Sequence, residues 1–245
     1  MQGILKNNRF FITTISLCVF VPLLLVAGVL VFGDRKYYVI SIGIVLLACL
    51  PFFIRFEYKK PQPREILLIA VMAGVSVAGR CLFFVIPGFK PVAAITAITG
   101  FALGAEAGFL TGALSALISN IFFGQGPWTP FQMFAWGMIG FCAGLVGRKG
   151  QVPSKVTLIL FGIFAGIFFS FGMDVWGTIS TTGIFTLEAY ILATGTAIPF
   201  TIVYAISNVI FLLLLTRPIM EKLQRMKKKY GIFSNAESLN VKRSE

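Results

Sequence analysis

The chain is expected to fold as an all-α polytopic membrane protein with about eight spans and both termini in the cytoplasm, and three observations carry that expectation. Its 245 residues are 57% hydrophobic and only 12% charged, with a mean hydropathy of +0.89, whereas soluble domains are about half apolar and a quarter charged. Apolar runs of the roughly 20 residues that cross a bilayer recur along the whole chain with short loops between them, so no soluble domain of useful size fits. The 21 basic residues stand beside those runs, where they orient spans in a lipid bilayer. That distribution, despite a net charge of +12, argues against nucleic acid as a partner.

Taken in order, the first apolar run covers residues 10–32 behind Lys6 and Arg9. It is too long for a signal-peptide core, and no small-residue cleavage site follows it, so it reads as a retained span. A Gly33–Lys36 turn leads to a second run at 37–56. Residues 1–56 therefore read as an N-terminal transmembrane hairpin, nearly free of polar groups, facing lipid and appended to a separate core. A basic cytoplasmic linker, 57–64, is stiffened by Pro61 and Pro63.

The six-span core, 65–216, begins with a helix at about 65–86. Ala70, Gly74 and Ala78 form a small-residue ridge on it, suited to the close approach of another helix in lipid, either within the protein or in a partner subunit. The next apolar stretch, 91–122, is too long for one span: a single helix would measure about 48 Å against a hydrocarbon core of about 30 Å. It would also bury Glu106 at mid-membrane, where a carboxylate costs several kcal/mol. Two short helices, 91–103 and 107–123, place Glu106 in a surface turn instead. On this reading Gly100, Gly104, Gly108 and Gly112 do not form one continuous face, and the two halves of the glycine ladder pack separately. The remaining spans are expected at 131–147, 156–174 and 198–216. A basic cytoplasmic tail, 217–245, forms a short helix with a polar end. Eight spans put seventeen basic residues inside and only Arg35, Lys36, Arg80 and Lys90 outside, as the positive-inside rule requires.

In this topology polar groups gather in three outer loops: Arg80–Pro91, Asn120–Gln132, and 174–197 with its Asp174, Trp176 and Glu188. Trp136 lies one helical turn beyond Gln132 on the same face, and Tyr204 and Asn208 are one turn apart on the last span. A Gln/Trp stripe facing Asn120 and Asn208 suits a partly apolar ligand with amide or hydroxyl groups. Reactive constellations are absent. There is no histidine, hence no serine triad and no histidine-ligated metal, and the sequence has no phosphate-binding loop. Cys18, Cys49, Cys81 and Cys142 stand singly and read as buried small apolar residues. No catalytic residue, metal or cofactor is assigned.

The run ALGAEAGFLTGALSALISNIFFGQGPWTPFQMFAWGMIG, set within the six spans, resembles the substrate-binding S component of energy-coupling-factor (ECF) vitamin transporters over about 150 residues. The resemblance implies a multi-pass subunit of the bacterial cell membrane that captures a small-molecule vitamin at the outer face. It also implies work with an ECF transmembrane coupling subunit and two ATPase subunits, the whole subunit toppling in the bilayer. It places Lys90, Asn120, Gln125, Trp128, Gln132, Trp136, Asp174, Trp176 and Asn208 near the ligand, and makes Ala70, Gly74 and Ala78 the partner-docking ridge. Glycine at 74 replaces an alanine of the family pattern, and the N-terminal hairpin is an addition to it. Bulky outer loops and amides point first to cobalamin, with a flavin or a queuosine-type precursor also fitting. Two other classes stay open: a membrane-embedded enzyme using Asp174 and Glu188 on a lipid-borne substrate, and a stand-alone carrier.

Overall fold

The computed structural model describes residues 37–58, 61–147 and 151–230, so the span expected at 10–32 lies outside the described residues. Seven helices follow one another: α1 Tyr37–Tyr58, α2 Pro63–Leu82, α3 Val92–Leu103, α4 Ala105–Phe123, α5 Thr129–Val146, α6 Lys155–Thr182 and α7 Leu187–Tyr230. The described residues form no strand. Five of these helices, α2 and α4 to α7, are long and apolar enough to cross a membrane. The protein is an all-helical polytopic membrane protein.

The division of the 91–122 stretch into two helices is observed. Gly104, at φ +103°, separates α3 from α4, a backbone conformation that residues with a Cβ rarely adopt. Glu106 falls in the first turn of α4, where a carboxylate favours the positive end of the helix dipole. With 12 residues, α3 is about 18 Å long and every residue of it is buried. It is the centre of the bundle.

The expectation that the glycine ladder packs as two separate halves is wrong. Because the chain folds back at Gly104, Gly100 of α3 and Gly108 of α4 converge on one place in α5. A Cβ at either position would fall on the carbonyl oxygen of Gly140, and one at Gly108 would also come within 2.8 Å of Gly100 Cα. Gly112 lies against the Trp136 backbone, and Gly144 against Ala105. Three helices thus meet backbone to backbone, the contact that small residues permit in lipid.

Helix α1 does not stand apart from this core. Val45, Ala48, Cys49 and Phe52 are buried, and Phe52 stacks on Phe109 of α4 with centroids 3.8 Å apart and meets Phe141 of α5 edge-on at 5.1 Å. Lipid faces only its other side, where Leu46, Leu47 and Leu50 are exposed. Of the cysteines described, Cys49 is buried and Cys142 half-buried, but Cys81 is exposed near the end of α2, contrary to expectation.

The last two helices are longer than the hydropathy pattern suggested. The outer loop expected at 174–197 is almost entirely helical: α6 runs on to Thr182, Gly183 ends it at φ +77°, and α7 begins at Leu187. Asp174 and Trp176 therefore sit on a helix and do not share a loop with Glu188. The two helices pack closely where Gly162 meets Val209 and Gly166 meets Ala205, and Ser170 and Thr201 share a hydrogen bond of 2.6 Å. The basic tail expected as a separate short helix is a continuation of α7, which spans 44 residues, or about 66 Å. Its far end is tied down: Arg64, in the first turn of α2, donates to the Tyr230 carbonyl at 3.3 Å and lies 5.8 Å from the centre of that ring.

Candidate functional site

The α2–α3 loop, α5, α6 and α7 meet in a cleft lined by Lys90, Val92, Ala93, Trp136, Phe169, Tyr204 and Asn208, with an empty volume of about 210 Å³. Two aromatic contacts build its wall. Trp136 and Phe169 stack with centroids 5.1 Å apart and planes 6° from parallel, and Tyr204 meets Phe169 edge-on at 5.1 Å. Lys90 supplies the charge. Its ammonium lies 5.6 Å from the centre of the Tyr204 ring, and its backbone is pinned by Ser207, which accepts from the Lys90 N–H at 3.0 Å and donates to the Lys90 carbonyl at 3.2 Å. Burial, and secondarily the like charge of Arg80, pushes the Lys90 amine down to about 8. The cleft is thus lined by aromatic rings, one amide and one poorly hydrated ammonium.

Beside the cleft a second polar group ties three helices together. Asn120 of α4 is fully buried. Its Nδ2 donates to Thr129 Oγ1 and Gln132 Oε1, both at 2.9 Å, and its Oδ1 accepts from Arg80 Nη1 at 2.8 Å. Arg80 also donates to Ser119 Oγ, and its guanidinium lies 4.6 Å from the Phe123 ring centre and 5.3 Å from that of Trp136. Gln125 extends the chain of bonds, accepting from Thr129 Oγ1 at 2.9 Å and donating to the Leu117 carbonyl at 2.7 Å.

Of the nine residues placed near a ligand from the sequence, Lys90, Trp136 and Asn208 line the cleft. Asn120, Gln125 and Gln132 belong to the adjoining network and reach the cleft wall through Arg80. Trp128 precedes α5, half-exposed and folded over Gly126. Trp176 packs on Phe131 with centroids 5.5 Å apart. Asp174 lies beside Thr194 and Tyr190 of α7, with its Oδ2 buried and lacking a hydrogen-bond partner. These last three do not line the cleft. Of the small-residue ridge, Ala70, Gly74 and Ala78 all face outward, and a Cβ at Gly74 would meet nothing within 4 Å, so the ridge takes no part in packing among the described residues.

Sequence reasoning missed Tyr204 and Phe169 in the cleft lining and Arg80 against the Trp136 ring. Tyr204 was visible as the partner of Asn208 one turn away. Phe169 is one of 26 phenylalanines, and nothing local distinguishes it. Arg80 read as a loop charge, yet it stands in the last turn of α2 and turns inward.

Comparison with known proteins gives one finding. No curated protein matches the chain, but a family model described as ECF-type riboflavin transporter, S component, matches residues 60–225. The match covers about two-thirds of the 245 residues, taking in α2 to α7 and leaving out α1. With its all-helical core and its cleft of aromatic and amide groups, the chain belongs to the family of ECF-type riboflavin transporter S components.

Proposed function

We propose that this subunit captures riboflavin, or a close flavin relative, in the Lys90–Trp136–Asn208 cleft and delivers it inward through an ECF coupling subunit and two ATPases. The observation that carries the reading is the cleft itself. Trp136, Phe169 and Tyr204 give it an aromatic lining, and Lys90 and Asn208 stand where carbonyl and imide groups could be met. The family match supports a flavin and lends nothing to cobalamin, the ligand suggested first by the amides and loops. As it stands the cleft has room for little more than one water molecule, so ligand entry requires its walls to part. The basic residues Arg64, Lys155, Arg217, Lys222 and Arg225 lie toward the end where α2 starts and α7 finishes. The positive-inside rule makes that end cytoplasmic and turns the cleft outward.

As an S component the chain is a multi-pass membrane transport subunit and not an enzyme, which sets aside the reading of Asp174 and Glu188 as a catalytic pair. The exposed Ala70–Gly74–Ala78 ridge supports α2 as the face offered to the coupling subunit. The test is titration of purified, detergent-solubilised protein with riboflavin, followed by quenching of flavin fluorescence. Saturable one-to-one quenching is expected, and a flat titration would refute the flavin assignment.

A further inference from the structure

Arg80 is a half-buried arginine. Among the described residues no carboxylate pairs with it; its hydrogen bonds go to Ser119 Oγ and Asn120 Oδ1, and its guanidinium faces the rings of Phe123 and Trp136. Removing a cation from water without a counter-ion is costly, and charged groups kept inside membrane proteins usually serve function. A purely structural lock between α2 and α4 could be made more cheaply from apolar side chains.

The contacts of Arg80 have a direction. It leaves the last turn of α2, crosses to Asn120 on α4, and ends on Trp136 of α5, a residue that lines the cleft. Its neighbour Gly79 makes a second connection: a Cβ there would fall on the ring of Pro91, the residue after Lys90. The end of α2 is therefore joined to the cleft through Trp136 and to the cleft loop through Pro91. The opposite side of α2 carries the exposed ridge, whose last member, Ala78, is two residues from Arg80.

Resting on the flavin reading, we infer that Arg80 is a positioning residue that holds Trp136 in the cleft wall and links ligand occupancy to the set of α2, and thus to partner engagement on its outer face. A ligand entering the cleft presses on Trp136, whose ring the guanidinium covers. Arg80 is bonded to α4 and stacked on α5, so the last turn of α2 moves with it. Lysine cannot replace it, because an ammonium lacks the planar fork that holds two acceptors while lying against a ring.

Two measurements test this. The first needs no ligand. In protein with Trp128 and Trp176 changed to phenylalanine, Trp136 is the sole indole, and Arg80→Met is expected to shift its emission and Arg80→Lys to shift it partly. Unchanged emission in both variants would overturn the positioning role. The second measures affinity for the coupling subunit with its ATPases, with and without saturating riboflavin. Wild type is expected to show a ratio of about fivefold or more, in the usual range of allosteric coupling, and Arg80→Met to bring it to about one. A wild-type ratio of one, or an Arg80→Met ratio equal to wild type, would overturn the linkage. Failure of wild type to bind riboflavin would count against the ligand assignment instead, while the emission measurement would still decide the role of Arg80.

Discussion

The indole of Trp136 lies 6° from parallel with the ring of Phe169, centroids 5.1 Å apart, and Trp136 is only 1% exposed. A tryptophan placed for the membrane interface would present its edge to headgroups. This one is a wall inside the bundle, stacked between α5 and α6 and lining the cleft.

Truncating that wall removes the ring a flavin would lie against. Trp136→Ala is expected to weaken riboflavin binding by about 2–3 kcal/mol, roughly 30- to 150-fold, and Trp136→Phe by less. Fluorescence titration of both variants checks this, and wild-type affinity in Trp136→Ala would make the residue a packing element only.

Lys90 is expected to make riboflavin binding depend on pH. Its amine titrates at about 8, from a usual value of 10.5, so the ammonium is present at pH 7 and lost as pH rises through 8. If the ammonium donates to the ligand, affinity is expected to be steady below pH 7, to fall between about pH 7 and 9, one unit either side of the titration, and to lose this dependence in Lys90→Met. The stability effect has the opposite sign. Since the unfolded chain holds this proton more tightly, the penalty of burying the ammonium is fully present below pH 8 and is relieved as pH rises from 8 toward 10.5. Thermal melts of wild type and Lys90→Met across that interval read the difference.

Asn120 should matter for stability more than Gln125, although both carry amides. Asn120→Leu leaves Arg80, Thr129 and Gln132 each short of a partner in a buried site, at a cost of about 2–4 kcal/mol. Gln125 is exposed, and its loss is expected to cost under about 1 kcal/mol. Equal melting temperatures for the two variants would contradict the network as described.

Glycines on the two faces of the bundle should behave differently. Gly108→Ala drives a Cβ into the Gly140 carbonyl and is expected to destabilise the protein by about 2 kcal/mol or more. Gly74→Leu meets nothing, so it should leave melting and riboflavin affinity unchanged while reducing co-purification with the coupling subunit, because the added side chain blocks close backbone approach. Intact co-purification would remove the docking role from this ridge.

The sequence by itself determined the class of the protein and much of its chemistry. Hydropathy identified the spans, the length of 91–122 together with Glu106 required a break near Gly104, and the family resemblance put nine residues near a ligand, of which Lys90, Trp136 and Asn208 line the cleft. Tertiary structure alone decided which groups meet. A helix in lipid is apolar on every side, so periodicity does not reveal its inner face, and a positive-φ glycine does not announce where the chain goes next. Gly100 and Gly108 therefore converge on Gly140 only because the chain turns back at Gly104. Asp174 and Trp176 are helical because α6 runs on to Thr182 alongside α7, where the Tyr190 hydroxyl donates to the Phe171 carbonyl. Arg80, read as a loop charge, is drawn inward by Ser119, Asn120 and Trp136, all distant from it in the chain.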